Sequence, residues 1–189
     1  MLSPKRIVIT GGPGTGKTSI VNELQKLGYF CFHEIIRTMT LAAKKEGNSE
    51  DFVTNPLAFV EDPFLFNQQL LRGRIRQFLE ATTLKQQFVF YDRGIPDVLA
   101  YMNYFNQNYD EEFVNGCIAH QYDQVLILPP WKAIYKSDNE RMESFEEALE
   151  IHTHLKDTYE HFGYHPQMVP EGTVEERTSY IIGELISET

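Results

Sequence analysis

The sequence predicts a single α/β domain built on a parallel sheet with helices on both faces. Two observations support this fold class. Short apolar runs alternate along the chain with segments of helical periodicity, which is the pattern of a parallel sheet covered on both sides. The length of 189 residues suits one domain with a sizeable core, so residues 1–189 are interpreted as one unit.

Five apolar runs are predicted to be strands, because each is short and is bounded by polar or turn-forming residues. Four are clear, and the fifth, which precedes Pro170, is weaker. In chain order they are residues 7–9, 29–32, 88–91, 125–128 and 168–169. The alternation with helices predicts that these strands are parallel.

Helical periodicity covers residues 19–27, 67–79, 111–120, 145–162 and 174–186. A long insert, from about residue 35 to residue 87, is predicted to hold two or three helices, one of them at 67–79. The segment 131–144 follows Pro129-Pro130, is polar and charged, and has no clear period. We interpret this segment as a lid.

A glycine-rich loop joins the first predicted strand to the first predicted helix. It fits the pattern G-x-x-x-x-G-K-[ST] without a mismatch and reads Gly11-Gly12-Pro13-Gly14-Thr15-Gly16-Lys17-Thr18. Glycines permit the tight turn and the close approach of backbone N–H groups to a phosphate, and the new helix points its positive dipole end at the anion. The strand–loop–helix context favours a P-loop over a turn without function.

The P-loop predicts binding of ATP and Mg²⁺. Backbone amides from Gly11 through Ser19 are expected to bind the polyphosphate, while Lys17 adds charge at the outer phosphates and Thr18 provides a hydroxyl ligand for Mg²⁺. The sequence contains no N-K-x-D run. The guanine selectivity of classical GTPases is therefore not supported, and adenine is the expected base.

Composition argues against other classes of partner and location. The 27 acidic and 17 basic residues give a net charge of −10, so no nucleic-acid partner is expected. No apolar stretch approaches the ~20 residues that span a bilayer, and the first strand begins too early for a signal peptide to precede it. Cys31 and Cys117 belong to no motif and suit a reducing, cytoplasmic location.

Charged residues follow the second and third predicted strands, at the sheet edge where ligands of such folds bind. Glu34 follows the second strand, with Arg37 three residues later, and Asp92 and Arg93 follow the third. Asp92 is predicted to organise Mg²⁺, because P-loop proteins usually place this carboxylate at the end of an apolar strand. Glu34 and Asp92 are both candidates for accepting the proton of an acceptor hydroxyl.

Both pairs also have a structural interpretation. Glu34 and Arg37 could form an exposed i,i+3 ion pair, and Asp92-Arg93 could form a turn that caps the next helix. Cations would stabilise the charge of a phosphate in transfer, although those of the predicted lid could instead be solvated. Beyond Lys17, the candidates are Arg37, Arg93, Lys132, Lys136 and Arg141.

An acceptor pocket is expected to include a few of the aromatic residues. These make up 13% of the chain, and most are expected in the core. Phe64 and Tyr101 are predicted to line the pocket, with Gln68 and Arg72 as polar neighbours. Two more charged residues, Arg37 and Asp97, complete the predicted acceptor site.

Together these motifs resemble the P-loop kinase branch that includes nucleoside and nucleoside-monophosphate kinases. The chain is more closely similar to a predicted-ATPase family related to nicotinamide riboside kinase. The resemblance covers nearly the whole chain and rests on the P-loop, Glu34-x-x-Arg37, Asp92-Arg93, Arg141 in the lid-like segment, and residues 164–170 before a final helix.

The resemblance implies a role for each matching residue. It makes Glu34 the base, Asp92 the Mg²⁺ organiser, Arg93 a clamp for substrate or phosphate, and Arg141 the charge stabiliser. It also places the loop 170–173 near adenine. The chain departs from the pattern in its lid, where residues 137–141 contain one arginine and many kinases have several.

Two functions of different classes follow from these motifs. The first is an ATP- and Mg²⁺-dependent phosphotransferase that acts on a small-molecule, nucleoside-like acceptor. The second is a nucleotide-binding switch or slow NTPase with a protein or lipid partner, an alternative that the single lid arginine and the aromatic insert leave open. A motor-type ATPase is disfavoured, because Asp92 is followed by Arg93 rather than by a second acid.

Overall fold

The computed structural model describes residues 3–36, 62–135 and 143–187. Its strands are β1 (Lys5–Gly11), β2 (Phe30–Phe32), β3 (Phe88–Asp92), β4 (Gln124–Leu128) and β5 (Gln167–Met168). They form one sheet in the order β2-β3-β1-β4-β5, and every neighbouring pair is parallel. The predicted five-stranded parallel sheet is therefore confirmed.

The described residues form six α-helices, and a 3₁₀ turn at Ala81–Thr83 follows the second. The helices are α1 (Lys17–Lys26), α2 (Pro63–Glu80), α3 (Pro96–Tyr104), α4 (Glu111–Ala119), α5 (Phe145–His161) and α6 (Val174–Ser187). Across these same ranges, no helix is long and apolar enough to span a membrane.

Helix α3 is the element that the sequence pattern does not predict. Residues 96–100 and Met102 are all buried. A helix that is buried nearly all round has no polar face, so the period that reveals amphipathic helices is absent. Helix α3 is therefore stabilised by tertiary packing, and its sequence lacks the periodicity by which a helix is predicted.

Helix α2 begins at Pro63, earlier than the predicted start at residue 67. The side chain of Asp62 accepts a hydrogen bond of 3.0 Å from the backbone N–H of Leu65, and proline is favoured in the first turn. Residues 37–61 of the predicted insert, which include Arg37, lie outside the described residues. Residues 136–142 of the predicted lid, with Lys136 and Arg141, also lie outside them.

The two faces of the sheet carry separate hydrophobic clusters. On one face, α1 and α6 pack on alternate β1 residues, which include Ile7 and Ile9. On the other face, side chains of α2, α3, α4 and α5 surround Val8 of the same strand. This alternation follows from the two-residue period of a strand and covers the sheet on both sides.

The strand register brings the ends of β1, β2 and β3 to one edge of the sheet. Ile9 of β1 lies beside Asp92 of β3, and Phe32 of β2 lies beside Tyr91. On its opposite edge, β1 pairs with β4 through Gly11 and Leu128. Residues that follow β1, β2 and β3 therefore meet around the loop that leaves β1.

The N-terminus of α5 is fixed by a capping box. The Ser144 hydroxyl accepts a hydrogen bond from the Glu147 N–H (3.1 Å), and the Glu147 carboxylate accepts one from the Ser144 N–H (2.6 Å). One turn further, the carbonyl oxygen of Ala148 would lie 3.0 Å from a Cβ at Gly12. The cap therefore supports the helix that lies against the glycine-rich loop.

We expect Ser144→Ala to lower the free energy of unfolding by about 1 kcal/mol, because the variant leaves the backbone N–H of Glu147 without its partner. Urea denaturation measures this change. Thr153→Ala, at an exposed position of the same helix, is the matched control and should change the value by less than about 0.5 kcal/mol. Equal losses in the two variants would show that the cap contributes nothing.

Candidate functional site

The glycine-rich loop has a backbone that only glycine accommodates at several positions. Gly14 and Gly16 have positive φ angles, of 72° and 86°. A Cβ at Gly14 would lie 2.6 Å from the Tyr135 ring, and one at Gly11 would lie 2.7 Å from the carbonyl oxygen of Leu128. The loop is therefore enclosed by its neighbours, and side chains at these positions would displace it.

The loop ends at the N-terminus of α1, where the geometry suits an anion. Gly16 is the N-cap and has no side chain to satisfy the first N–H groups of the helix. Such N-termini bind phosphate through these donors and through the helix dipole. The loop and α1 together thus fit a polyphosphate ligand.

Lys17 is buried and lies against its own loop. Its Nζ atom donates to the carbonyl oxygens of Gly11 and Gly12, both at 2.7 Å. Burial, with a smaller contribution from the nearby charge of Arg93, lowers the pKa of Lys17 to about 7. An anionic phosphate in the loop would supply the opposite charge that favours the ammonium form.

A buried ionic network lies beside the loop, at the carboxyl edge of the sheet. Glu34 accepts from two arginines: Arg93 Nε is 2.5 Å from Oε2, and Arg74 Nη2 is 3.0 Å from Oε1. Arg93 Nη1 also contacts Asp97 Oδ1 at 3.1 Å. We call these four residues, Glu34, Arg74, Arg93 and Asp97, the buried ionic network.

Asp97 is fully buried, and protein groups satisfy both of its oxygens. Oδ1 accepts from the Thr10 hydroxyl (2.6 Å), and Oδ2 accepts from the Tyr159 hydroxyl (2.5 Å) and the Gly94 N–H (2.9 Å). Burial alone would raise the pKa of Asp97, but the charges of Arg74 and Arg93 and these hydroxyl donors hold it below its ordinary value of 3.8. Asp97 is therefore an ionised anchor that orients Arg93.

Arg93 connects this network to the P-loop. Its Nη1 atom lies 3.3 Å from the Gly11 carbonyl oxygen, and its guanidinium stacks over the Tyr101 ring with 5.0 Å to the centroid. Its backbone has a φ angle of 75°, which is unfavourable for a residue with a side chain. Such strain persists where surrounding contacts enforce it, and here Glu34 and Asp97 hold the guanidinium.

Asp92 and Thr18 are the predicted Mg²⁺ residues. Asp92 is the last residue of β3, is buried, and pairs with Ile9 of β1, two residues before the P-loop begins. Thr18 is the second residue of α1. A carboxylate and a hydroxyl are hard oxygen ligands of the kind that Mg²⁺ binds, so the chemistry of these two residues fits the ion.

Part of the predicted acceptor site lies on the face of α2 that contacts α4, and not beside Arg74 in the buried ionic network. Gln68 and Arg72 both contact the Glu112 carboxylate of α4, at 2.6 and 3.0 Å, and the Phe64 ring packs against Phe113. A role of these three α2 residues, Phe64, Gln68 and Arg72, in acceptor binding remains a prediction. Tyr101 and Asp97, in contrast, lie beside Arg93.

Sequence reasoning missed Arg74 and Tyr159, which lie far along the chain from the strand ends. Arg74 is buried and also donates to the Gly94 carbonyl oxygen at 2.6 Å. A signal was present in each case, because Arg74 follows Leu70 and Tyr159 follows Leu155 by four residues on a buried helix face. A charged or hydroxyl group on an apolar helix face points to a buried polar partner.

Comparison with known proteins supports a P-loop fold. Residues 6–177 match a family model described as AAA domain. No curated protein sequence matches the chain. Among solved structures, a deoxyadenosine kinase from M. mycoides is similar at 21% identity and a TM-score of 0.63, with 96% of this chain and 99% of that chain covered.

Two further solved structures are similar. The NadR protein in complex with NR has 16% identity and a TM-score of 0.71, and the match covers 98% of this chain and 50% of that chain. A thymidylate kinase from Candida albicans has 14% identity and a TM-score of 0.65, with 98% of this chain and 92% of that chain covered. At these identities the likeness shows the fold.

We expect Asp97→Asn to lower the free energy of unfolding by about 3 kcal/mol at pH 7, because it removes a buried charge that two arginines face. Urea titrations of both proteins measure the difference. Asp157→Asn, at an exposed position of α5, is the control and should be nearly neutral.

The difference in the free energy of unfolding between wild type and Asp97→Asn should depend on pH in a defined way. Because the folded-state pKa of Asp97 is lowered, its contribution is present above the ordinary value of 3.8 and is lost as the pH falls through the folded value. The difference between wild type and Asp97→Asn should thus stay constant from pH 8 to about 5 and shrink only in stronger acid. A difference that already shrinks near pH 6 would contradict this assignment.

Proposed function

Because the chain belongs to the AAA-domain family of P-loop proteins, we propose that it is an ATP- and Mg²⁺-dependent phosphotransferase that acts on a small, nucleoside-like acceptor. The similar solved structures include kinases named for deoxyadenosine and thymidylate, and a protein bound to NR. These names support a nucleoside-like acceptor without identifying it.

The observation that carries the proposal is the position of Arg93. One guanidinium lies 3.3 Å from a P-loop carbonyl oxygen and 2.5 Å from the Glu34 carboxylate. The nucleotide loop and the candidate acceptor carboxylate are therefore separated by a single cationic group. Phosphoryl transfer needs donor, acceptor and positive charge within such a short span.

Each residue of the site has a proposed task. The P-loop amides and Lys17 bind and orient the polyphosphate, and Arg93 faces the charge that develops between the donor and the acceptor. Thr18 and Asp92 would hold Mg²⁺, which, when bound, neutralises phosphate charge. Fixed in advance by Glu34 and Asp97, Arg93 needs little reorganisation when the acceptor binds.

Glu34 is the proposed base. Each of its oxygens accepts from one arginine, and a carboxylate has about four lone-pair sites, so acceptor capacity remains for a substrate hydroxyl. Glu34 would accept the proton of the substrate hydroxyl, and Arg74 and Arg93 hold the Glu34 carboxylate in one orientation.

We expect Lys17→Ala to reduce ATP turnover at least 100-fold, because the charge that faces the outer phosphates is lost. ADP release, measured with a panel of deoxynucleosides, nucleoside monophosphates and nicotinamide riboside, is the readout. Lys26→Ala is the matched control, because Lys26 lies on the same helix, is 73% exposed and pairs only with Glu23 among the described residues. Equal activities of the two variants would reject the role of Lys17.

The same panel tests the class of activity. A phosphotransferase releases ADP steeply with one acceptor and slowly without it. Release that stays slow and independent of every acceptor would reject this proposal and favour the nucleotide switch.

Asp92→Asn tests the Mg²⁺ assignment separately. Because the amide is a weaker ligand for a hard cation than the carboxylate, we expect turnover to fall at least 100-fold at ordinary Mg²⁺ concentrations. A titration of Mg²⁺ against ADP release measures the effect. Wild-type activity of Asp92→Asn at limiting Mg²⁺, with an unchanged Mg²⁺ dependence, would mean that Asp92 does not organise the ion.

A further inference from the structure

Arg177, in the first turn of α6, contacts the P-loop from outside its sequence motif. The residue is 4% exposed, and its Nη2 atom donates to the carbonyl oxygen of Thr15 at 2.8 Å. Its Nη1 atom lies 3.0 Å from the position that a Cβ at Gly16 would occupy. A buried guanidinium thus lies against the two residues that precede Lys17.

The charge of Arg177 is not matched by a paired carboxylate in the described parts of the chain. Its Nε atom is buried and has no hydrogen-bond partner there. Burial lowers the pKa of Arg177, and only the more distant charge of Glu171 opposes this effect. A buried cation is costly unless an anion compensates it, and the adjacent loop has the features of an anion site.

The hydrogen bond to Thr15 also fixes a peptide plane. In a trans peptide, the C=O of one residue and the N–H of the next point in opposite directions. When Arg177 holds the Thr15 carbonyl oxygen on its side of the loop, the Gly16 N–H is directed to the other side. This orientation presents a donor to the loop interior, where a phosphate would bind.

Arg177 is itself held rigidly. The Thr173 hydroxyl and the Glu176 carboxylate form reciprocal bonds with the backbone at the start of α6, at 3.1 and 2.8 Å. The Arg177 N–H donates to the Thr173 carbonyl oxygen. Further along α6, Ile181 and Leu185 are buried in the cluster that also contains α1. The guanidinium therefore approaches the loop from a fixed helix.

We propose that Arg177 is a positioning residue for nucleotide binding, which orients the Thr15–Gly16 peptide and adds positive charge behind the phosphates. This inference rests on the proposed function, since it requires that the loop binds a nucleotide. It assigns to the last helix a part in holding the polyphosphate. Because Arg177 acts on the polyphosphate, its effect on affinity should not depend on the nucleobase of the ligand.

The test compares ATP with inorganic tripolyphosphate, which lacks the base and the sugar. Calorimetry with Mg²⁺ should show that Arg177→Met weakens both ligands by a similar factor, about tenfold, because a charge-assisted hydrogen bond is lost. Arg177→Lys keeps the positive charge but lacks the forked guanidinium, so its affinity for both ligands should fall about threefold. In turnover assays, KM for ATP should rise by the same factor, while KM for the acceptor stays unchanged.

Arg76→Met is the control for removing an arginine, since Arg76 is exposed on α2, and it should bind both ligands like wild type. Thermal melting without ligand identifies any variant that fails to fold; in that case the comparison rests on Arg177→Lys. Unchanged affinity for both ligands in the folded variants, or a loss confined to ATP, would overturn the inference. Wild-type protein that binds neither ligand would instead reject the proposed function, and the inference with it.

Discussion

The buried ionic network is the constraint on which the site depends. Two carboxylates and two arginines are withdrawn from water at the carboxyl edge of the sheet, and each is held by partners from a different element. Buried charges of this kind add little net stability, because desolvation offsets their attraction. What they provide is orientation: removing one member leaves its partners uncompensated, so the arrangement of β2, α2, β3 and α3 around Arg93 is strongly specified.

Hydrogen bonds connect the buried ionic network to the P-loop. Gly11 accepts from both Lys17 and Arg93, so its carbonyl oxygen joins the P-loop to the network. The Gly94 carbonyl oxygen, bound by Arg74, has a similar role one strand away. Cations are thus fixed by backbone oxygens before any substrate binds. Preorganised charge of this kind is the main source of catalysis in phosphoryl transfer.

The sequence predicted the parts of this molecule that are encoded locally. The P-loop is a contiguous motif, and the sheet follows from short apolar runs, so both could be read without tertiary information. Glu34 and Arg93 could be named because parallel strands end at a common edge. The apolar helix faces of Arg74 and Tyr159 indicate buried polar partners, but they do not say which, since both residues reach the same carboxylates from helices distant in sequence. Helix α3 was hidden because full burial erases the amphipathic period on which prediction relies.

The left-handed backbone of Arg93 has a consequence for mutational tolerance. This position must satisfy two demands that rarely coincide: a conformation that suits glycine or asparagine, and a guanidinium that bridges two carboxylates. Arg93→Gly would relieve backbone strain of about 1–3 kcal/mol while discarding the chemistry. It would also leave the buried Glu34 and Asp97 carboxylates without one of their cationic partners, a loss of about 3–5 kcal/mol. Because this loss exceeds the relief of strain, the ion pairs keep an arginine in a backbone conformation that otherwise suits glycine.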